Sequence, residues 1–291
     1  MLPIMWRRKA RKMSLKIIFN ADDFGISPGV NAAICEAHRM GILNSASLMV
    51  NQEFAEQAVA EAKKMPALEM GLHLNLTNEK PASDPKDIPL LTGFDGKLSN
   101  GFVKLLLLSF LHPKEFADQV EREVRAQVNK YRATGLNLGH IDGHRHVHLI
   151  PAIFKIVHKV QQEYNIPRIR VMNENLWNTV RQNKSKSWLT DGGLVKYAVL
   201  RFLTWWNGYA SDVYFYTILF TCKISREQFQ NIRIPNGYKA VEIMIHPGKP
   251  EIDRQYLESV WDKNILSAWR TTELHTLLDK GVLNNIHVDG E

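Results

Sequence analysis

The chain has 291 residues, 45% of them apolar and 23% charged, which is ordinary for a soluble globular protein and long enough for one large α/β domain or two smaller ones. Its net charge of +7 invites a nucleic-acid or anionic-membrane partner, but Arg7, Arg8, Lys9, Arg11 and Lys12 supply most of that excess ahead of the first credible strand. The remainder is close to balanced, so the basicity describes a leader over residues 1–14, and a nucleic-acid partner is not expected of the folded body at 15–291.

The leader lacks the apolar stretch and cleavage site of a secretory signal, and Met13 is the expected start of the functional body. Residues 16–20 form an apolar run that ends at Asp22 and Asp23, as a central strand feeding a loop does. Ala33, Ile34, Ala37 and Met40 recur at helical spacing over 31–41, with Gly41 suited to the cap. A buried strand over 46–50, a helix over 53–64 and a strand over 68–76 follow. Residues 78–101 carry three prolines and three glycines and read as one long loop, of the kind that often serves function. A charged amphipathic helix is expected over 114–134, a strand over 137–142 and a helix over 151–164. Further strands are expected at 169–172, 213–219 and 241–245, and late helices at 254–269 and 272–280. Strands alternating with helices imply a mostly parallel sheet or barrel.

From Phe202 to Cys222 the only charge is Asp212, and eight aromatic residues are crowded together. Asn207-Gly208 interrupts any helix there, so the segment reads as a helix, a break and a buried strand rather than a membrane span. It leaves open stacking on sugar faces, a dimer contact, or peripheral rest on lipid headgroups. The two cysteines, Cys35 and Cys222, lie in apolar contexts and are expected as buried free thiols in a reducing, cytoplasmic setting.

Chemistry concentrates at strand ends. In Asn20-Ala21-Asp22-Asp23-Phe24-Gly25, consecutive carboxylates cannot share one face of a regular strand, so a loop must present them differently. One can ligate a cation while the other accepts a proton; the pair also suits a helix cap ahead of Ser27-Pro28. His73 lies in Gly71-Leu72-His73-Leu74-Asn75, where a hydrogen-bonded core histidine is the plainer reading and Gly71 permits a close approach. His140, Asp142, His144, His146 and His148 occupy every second position. An extended segment would project all five to one side, and a helical one would pair His140 with His144 or His144 with His148; His144 belongs to every arrangement. His246 ends the apolar run after Glu242, placed to protonate a leaving group or hold a water. Two carboxylates and several imidazoles are the equipment of a metal-assisted hydrolase.

These segments, with Val30-Asn31 and Glu242-Ile243-Met244-Ile245-His246-Pro247-Gly248, resemble the YdjC-like carbohydrate deacetylases, the family of chitooligosaccharide deacetylase and hopanoid-associated deacetylases. The resemblance runs in order and spacing over about residues 16–276. It implies a distorted β/α barrel of the polysaccharide-deacetylase type. It also implies one divalent ion, zinc or magnesium, on Asp23, His73 and His144, with Asp22 as catalytic base. His246 matches the family's late histidine and is the candidate acid. Arg170 and Glu174 take supporting roles, and His140, Asp142, His146 and His148 orient ligands or substrate. The middle departs from the family: the aromatic stretch is no strong motif, and a glycine expected shortly after Asp212 is replaced around Tyr216.

The expected activity is hydrolysis of an N-acetyl group from an amino sugar, oligosaccharide or glycoconjugate by a metal-activated water. Its rivals are a metal-dependent phosphoesterase, which calls for a second metal or more Arg and Lys at the site, and a non-catalytic carbohydrate-binding protein on the same scaffold.

Overall fold

A computed structural model describes residues 15–183, 192–230, 232–256 and 264–288; the basic leader lies outside them. Six strands form a parallel sheet in the order β4-β3-β2-β1-β7-β5: β1 (Lys16–Phe24), β2 (Ser45–Leu48), β3 (Glu69–Leu74), β4 (Ile141–Gly143), β5 (Val213–Tyr216) and β7 (Ala240–Ile245). The sheet curls strongly into a half barrel, the α/β architecture expected from the alternating elements. A short parallel pair, β6 (Ile232–Ile234) with β8 (Ile286–Val288), stands apart from it.

Central β1 and β7 are buried along almost their whole length, which is why each carries a short apolar run, residues 17–19 in β1 and 243–245 in β7. Helices cover the sheet. Among the described residues they are α1 (Pro28–Met40), α2 (Ala55–Ala62), α3 (Phe102–Leu111), α4 (Pro113–Ala133), α5 (Pro151–Glu163), α6 (Leu176–Gln182), α7 (Gly193–Asn207), the single turn α8 (Pro250–Asp253) and α9 (Ala268–Leu278). Ser27 caps α1 by accepting from the Val30 amide, with Pro28 opening the helix. Asp253 in α8 braces the same end, accepting from the Gly29 amide at 2.7 Å and the Ser27 hydroxyl at 2.9 Å.

Several expectations change. The 78–101 segment is a loop as expected, apart from one 3-10 turn at Pro85–Asp87, but it is pinned to α4, where the Glu123 carboxylate accepts from the Ala82 and Ser83 amides at 2.8 Å each. Helix α3 was not foreseen, because a short, uniformly apolar run has no readable helical period. The expected strand at 169–172 touches β4 through one bridge, Ile141 with Ile169. The helix expected over 254–269 falls partly outside the described residues; Arg254, Gln255 and Tyr256 form a turn after α8. The 202–222 segment is a helix, a break at Gly208 and a strand, as expected. Among the described residues no helix is long and apolar enough to cross a membrane.

Candidate metal centre and active site

The site begins where β1 leaves its regular path. Pairing with β2 shifts register between Ala21 and Phe24, and Asp23 adopts φ 69°, a left-handed conformation that Asp tolerates better than most residues. The bulge lets two adjacent carboxylates enter the same buried space; each is 2% exposed. Pairing of β1 with β7 ends at Ala21 and Ile245, one residue short of Asp22 and His246, so those two meet at the same strand ends. His246 Nε2 lies 4.0 Å from Asp22 Oδ2. Register on the other side pairs His73 with Asp142.

Side-chain atoms of Asp23, His73 and His144 come within 4.8 Å of one another, and a second group joins Asp22, His73 and Asp142. His73 Nδ1 contacts Asp142 Oδ1 at 2.7 Å, which fixes the ring and turns Nε2 toward Asp23 Oδ1 at 3.5 Å. His144 Nδ1 lies 2.9 Å from Asp23 Oδ1, and its Nε2 is buried without a hydrogen-bond partner. Burial alone would lower the His73 pKa, but the charges of Asp142 and Asp22 lift it to about 10. Burial likewise opposes ionisation of Asp23, yet Arg270 and His144 hold its carboxyl well below the usual range.

In these direct ion pairs the four carboxylates of Asp22, Asp23, Asp142 and Glu242 meet the three guanidiniums of Arg168, Arg170 and Arg270, one fewer cation than anion. Negative potential that holds a proton on His73 would also hold a divalent cation. Two imidazoles and a carboxylate, one ring nitrogen lacking any partner, fit such an ion.

Arg170 is the hub. Its guanidinium meets both oxygens of Asp22 at 2.7 and 2.8 Å, Asp142 Oδ2 at 2.6 Å and Glu242 Oε1 at 2.6 Å, while Arg168 takes the other Glu242 oxygen. Below it, Ser47 donates to Asp142 Oδ2 at 2.6 Å, accepts from Asn20 at 2.8 Å and lies 3.0 Å from His140 Nε2. Gly71 is glycine because that ring lies against it: a Cβ there would fall 2.3 Å from His140.

The 140–148 histidines obey neither the extended nor the helical arrangement. Residues 144–149 form tight turns with Arg145 and His146 at φ 53° and 57°, so the rings diverge. His144 reaches Asp23, and His148 Nε2 contacts the Arg170 carbonyl at 2.9 Å, steadying the hub from behind. His146 is buried with Nδ1 unpartnered. Glu174 does not join the cluster; its carboxylate accepts from Thr179 and from the Ile218 amide. Glu174 thereby fixes the turn that follows β5.

Beyond Arg168 and Ser47, four contributors to the site escaped the sequence reading. Arg270 donates to Asp23 Oδ2 at 2.7 Å, and Glu273, one turn on in α9, accepts from the His246 amide and lies 3.8 Å from His246 Nδ1. Their signal was two charged residues on the face that α9 buries along with Leu274 and Leu277. Cys222 Sγ lies 3.9 Å from His246 Nδ1, and burial pushes its thiol up to about 12, so it packs the imidazole as a neutral group. Lys196 of α7 is the fourth: burial lowers its pKa, while the charge of Asp22 raises it, so the amine lies within reach of the cluster. Both cysteines are free.

Comparison with known proteins places these features in context. Residues 16–287 match the model of the YdjC-like protein family. The chain is 37% identical to a carbohydrate deacetylase of Brevibacillus brevis over 94% of its own length and 95% of that protein. It is 38% identical to a carbohydrate deacetylase of Oceanobacillus iheyensis over 53% of this chain and 64% of the other. A crystal structure from Enterococcus faecalis, provisionally described as a cellobiose-phosphate cleavage protein, superposes with a TM-score of 0.63 at 22% identity. It covers 94% of each chain and supports the fold alone.

Proposed function

The chain belongs to the YdjC-like family, and from that premise we propose that it is a metal-dependent carbohydrate deacetylase that removes the N-acetyl group of an amino sugar or glycoconjugate. The observation that carries this reading is the convergence of Asp23, His73 and His144 beside Asp22 and His246. Asp23, His73 and His144 would hold the ion; the mixed oxygen and nitrogen donors suit zinc, with magnesium the alternative. When bound, it supplies Lewis acidity, polarising the acetyl carbonyl and making water more acidic.

The chain's own groups handle the protons. Asp22, fixed by Arg170 through both oxygens, takes a proton from the attacking water as the new C–O bond forms. His246 gives a proton to the sugar nitrogen as the C–N bond breaks. Burial holds its pKa at about 4, so the ring is neutral at rest and must be charged during turnover; Asp22, 4.0 Å away, is the donor within reach. One water is consumed, and acetate and a free amine leave. Glu273 and Cys222 confine the His246 ring to that position.

Acetate release from N-acetylated oligosaccharides, measured with and without a chelator, tests the assignment. Loss of release in chelator and its return with added zinc or magnesium is the expected result. Phosphate release from a sugar phosphate with no acetate release would indicate the phosphoesterase, and binding without either product the non-catalytic reading.

A further inference from the structure

Two helices carry an outer face that the fold does not cover. On α7, Phe202, Trp205 and Trp206 are 52%, 69% and 62% exposed, and on α3, Leu107, Phe110 and Leu111 are 54%, 74% and 69% exposed. Both helices pack against the same 144–149 turns, which makes them neighbours of one segment. Scattered exposed apolar residues are unremarkable, but six large ones on two helices flanking one turn are not. The three α7 rings gather, with Phe202 5.7 Å from Trp205 and 5.9 Å from Trp206 between centroids.

Charge selects the occupant. Neither α3 nor α7 contains an Asp or a Glu, while Lys104 and Arg201 are exposed on them. Beyond the end of α7, Asp212 is already paired with Lys239 at 2.7 Å. A second copy meeting this face through the same helices would bring the same two cations and no acidic residue from either helix. A surface of anionic headgroups over hydrocarbon would meet both features at once, with tryptophan at the depth it favours. At 10 and 15 residues the helices are too short to cross a bilayer, so they would lie in its plane.

We propose that the outer faces of α3 and α7 form a docking surface for a bilayer bearing anionic lipid headgroups. The full chain should sediment with vesicles of phosphatidylcholine and phosphatidylserine and bind phosphatidylcholine vesicles less well. Trp205→Ser with Trp206→Ser, and separately Leu107→Ser with Phe110→Ser, should each weaken that binding about tenfold or more while leaving the thermal midpoint unchanged, since all four side chains are exposed.

Three outcomes overturn the proposal. The first is no sedimentation with the mixed vesicles, or binding by both double variants equal to that of the unaltered chain. The second is loss of binding only when Arg7, Arg8, Lys9, Arg11 and Lys12 are replaced by Gln, which would assign it to the leader. The third is a change from dimer to monomer in the Trp205 and Trp206 variant, which would assign the face to a second copy. Vesicle binding is read without turnover, so its failure leaves the deacetylase reading standing, and the reverse.

Discussion

Asp22 and Asp23 are neighbours in the chain with different partners, and their partners divide the work between them. Asp22 is clamped by Arg170 through both oxygens, which orients it for the proposed role of base; Asp23 faces two imidazoles and Arg270. Asp22→Asn should therefore lower turnover by about 10²- to 10⁴-fold while metal content, read by elemental analysis, stays at the unaltered level. His144→Ala should lose both together. Retained activity in Asp22→Asn would remove the proposed base. Arg270→Gln should weaken metal binding by about 10- to 100-fold in a competition titration, because Asp23 loses the donor that fixes its second oxygen. Unchanged affinity there would mean that Arg270 only balances charge.

At the scale of elements, close approach between strands sets what the sheet tolerates. A methyl group on Gly71 would strike the His140 ring, itself held by Ser47, so Gly71→Ala should cost about 1–3 kcal/mol in urea unfolding by overpacking. A neutral result would show that the ring can move aside. The same strands explain what could be read beforehand. Long segments with one clear period, such as α4, declared themselves, as did short apolar runs, such as residues 243–245 of β7, because both faces of a curled parallel sheet are buried. Strand-end placement of Asp22, His73 and His246 followed from those runs. The bulge at Asp23 and the left-handed turn at Arg145 and His146 did not, since no local pattern distinguishes them from regular strand or helix. Arg270 was hidden for another reason: a charge on a buried helical face can be seen in sequence, but its partner in β1 cannot.

Across the whole molecule, buried titratable groups set the response to pH. Burial holds His140, His148 and His246 at about 4 and His146 lower still, against 6.5 when unfolded. As pH falls, the unfolded chain takes up these protons first; their stabilisation is complete above about 6.5 and is lost as pH drops through about 4. Glu174 and Glu273, raised by burial to about 7 from 4.5, act oppositely: their contribution is complete below about 4.5 and is lost as pH rises through about 7. Four imidazoles outweigh two carboxylates between 6.5 and 4.5, so the thermal midpoint of chelated protein should fall on acidification across that window. A midpoint that rises instead would contradict the assignment of these rings as neutral. Central β1 pairs with β2 nearby in sequence but also with β7, Lys16 meeting Ala240, and Asp23 waits for Arg270, 247 residues downstream. During vectorial synthesis the site must therefore stay unfinished until α9, which carries Arg270, clears the ribosome. Nascent chains arrested ahead of α9 should hold an ion less tightly than the full chain and yield readily to protease.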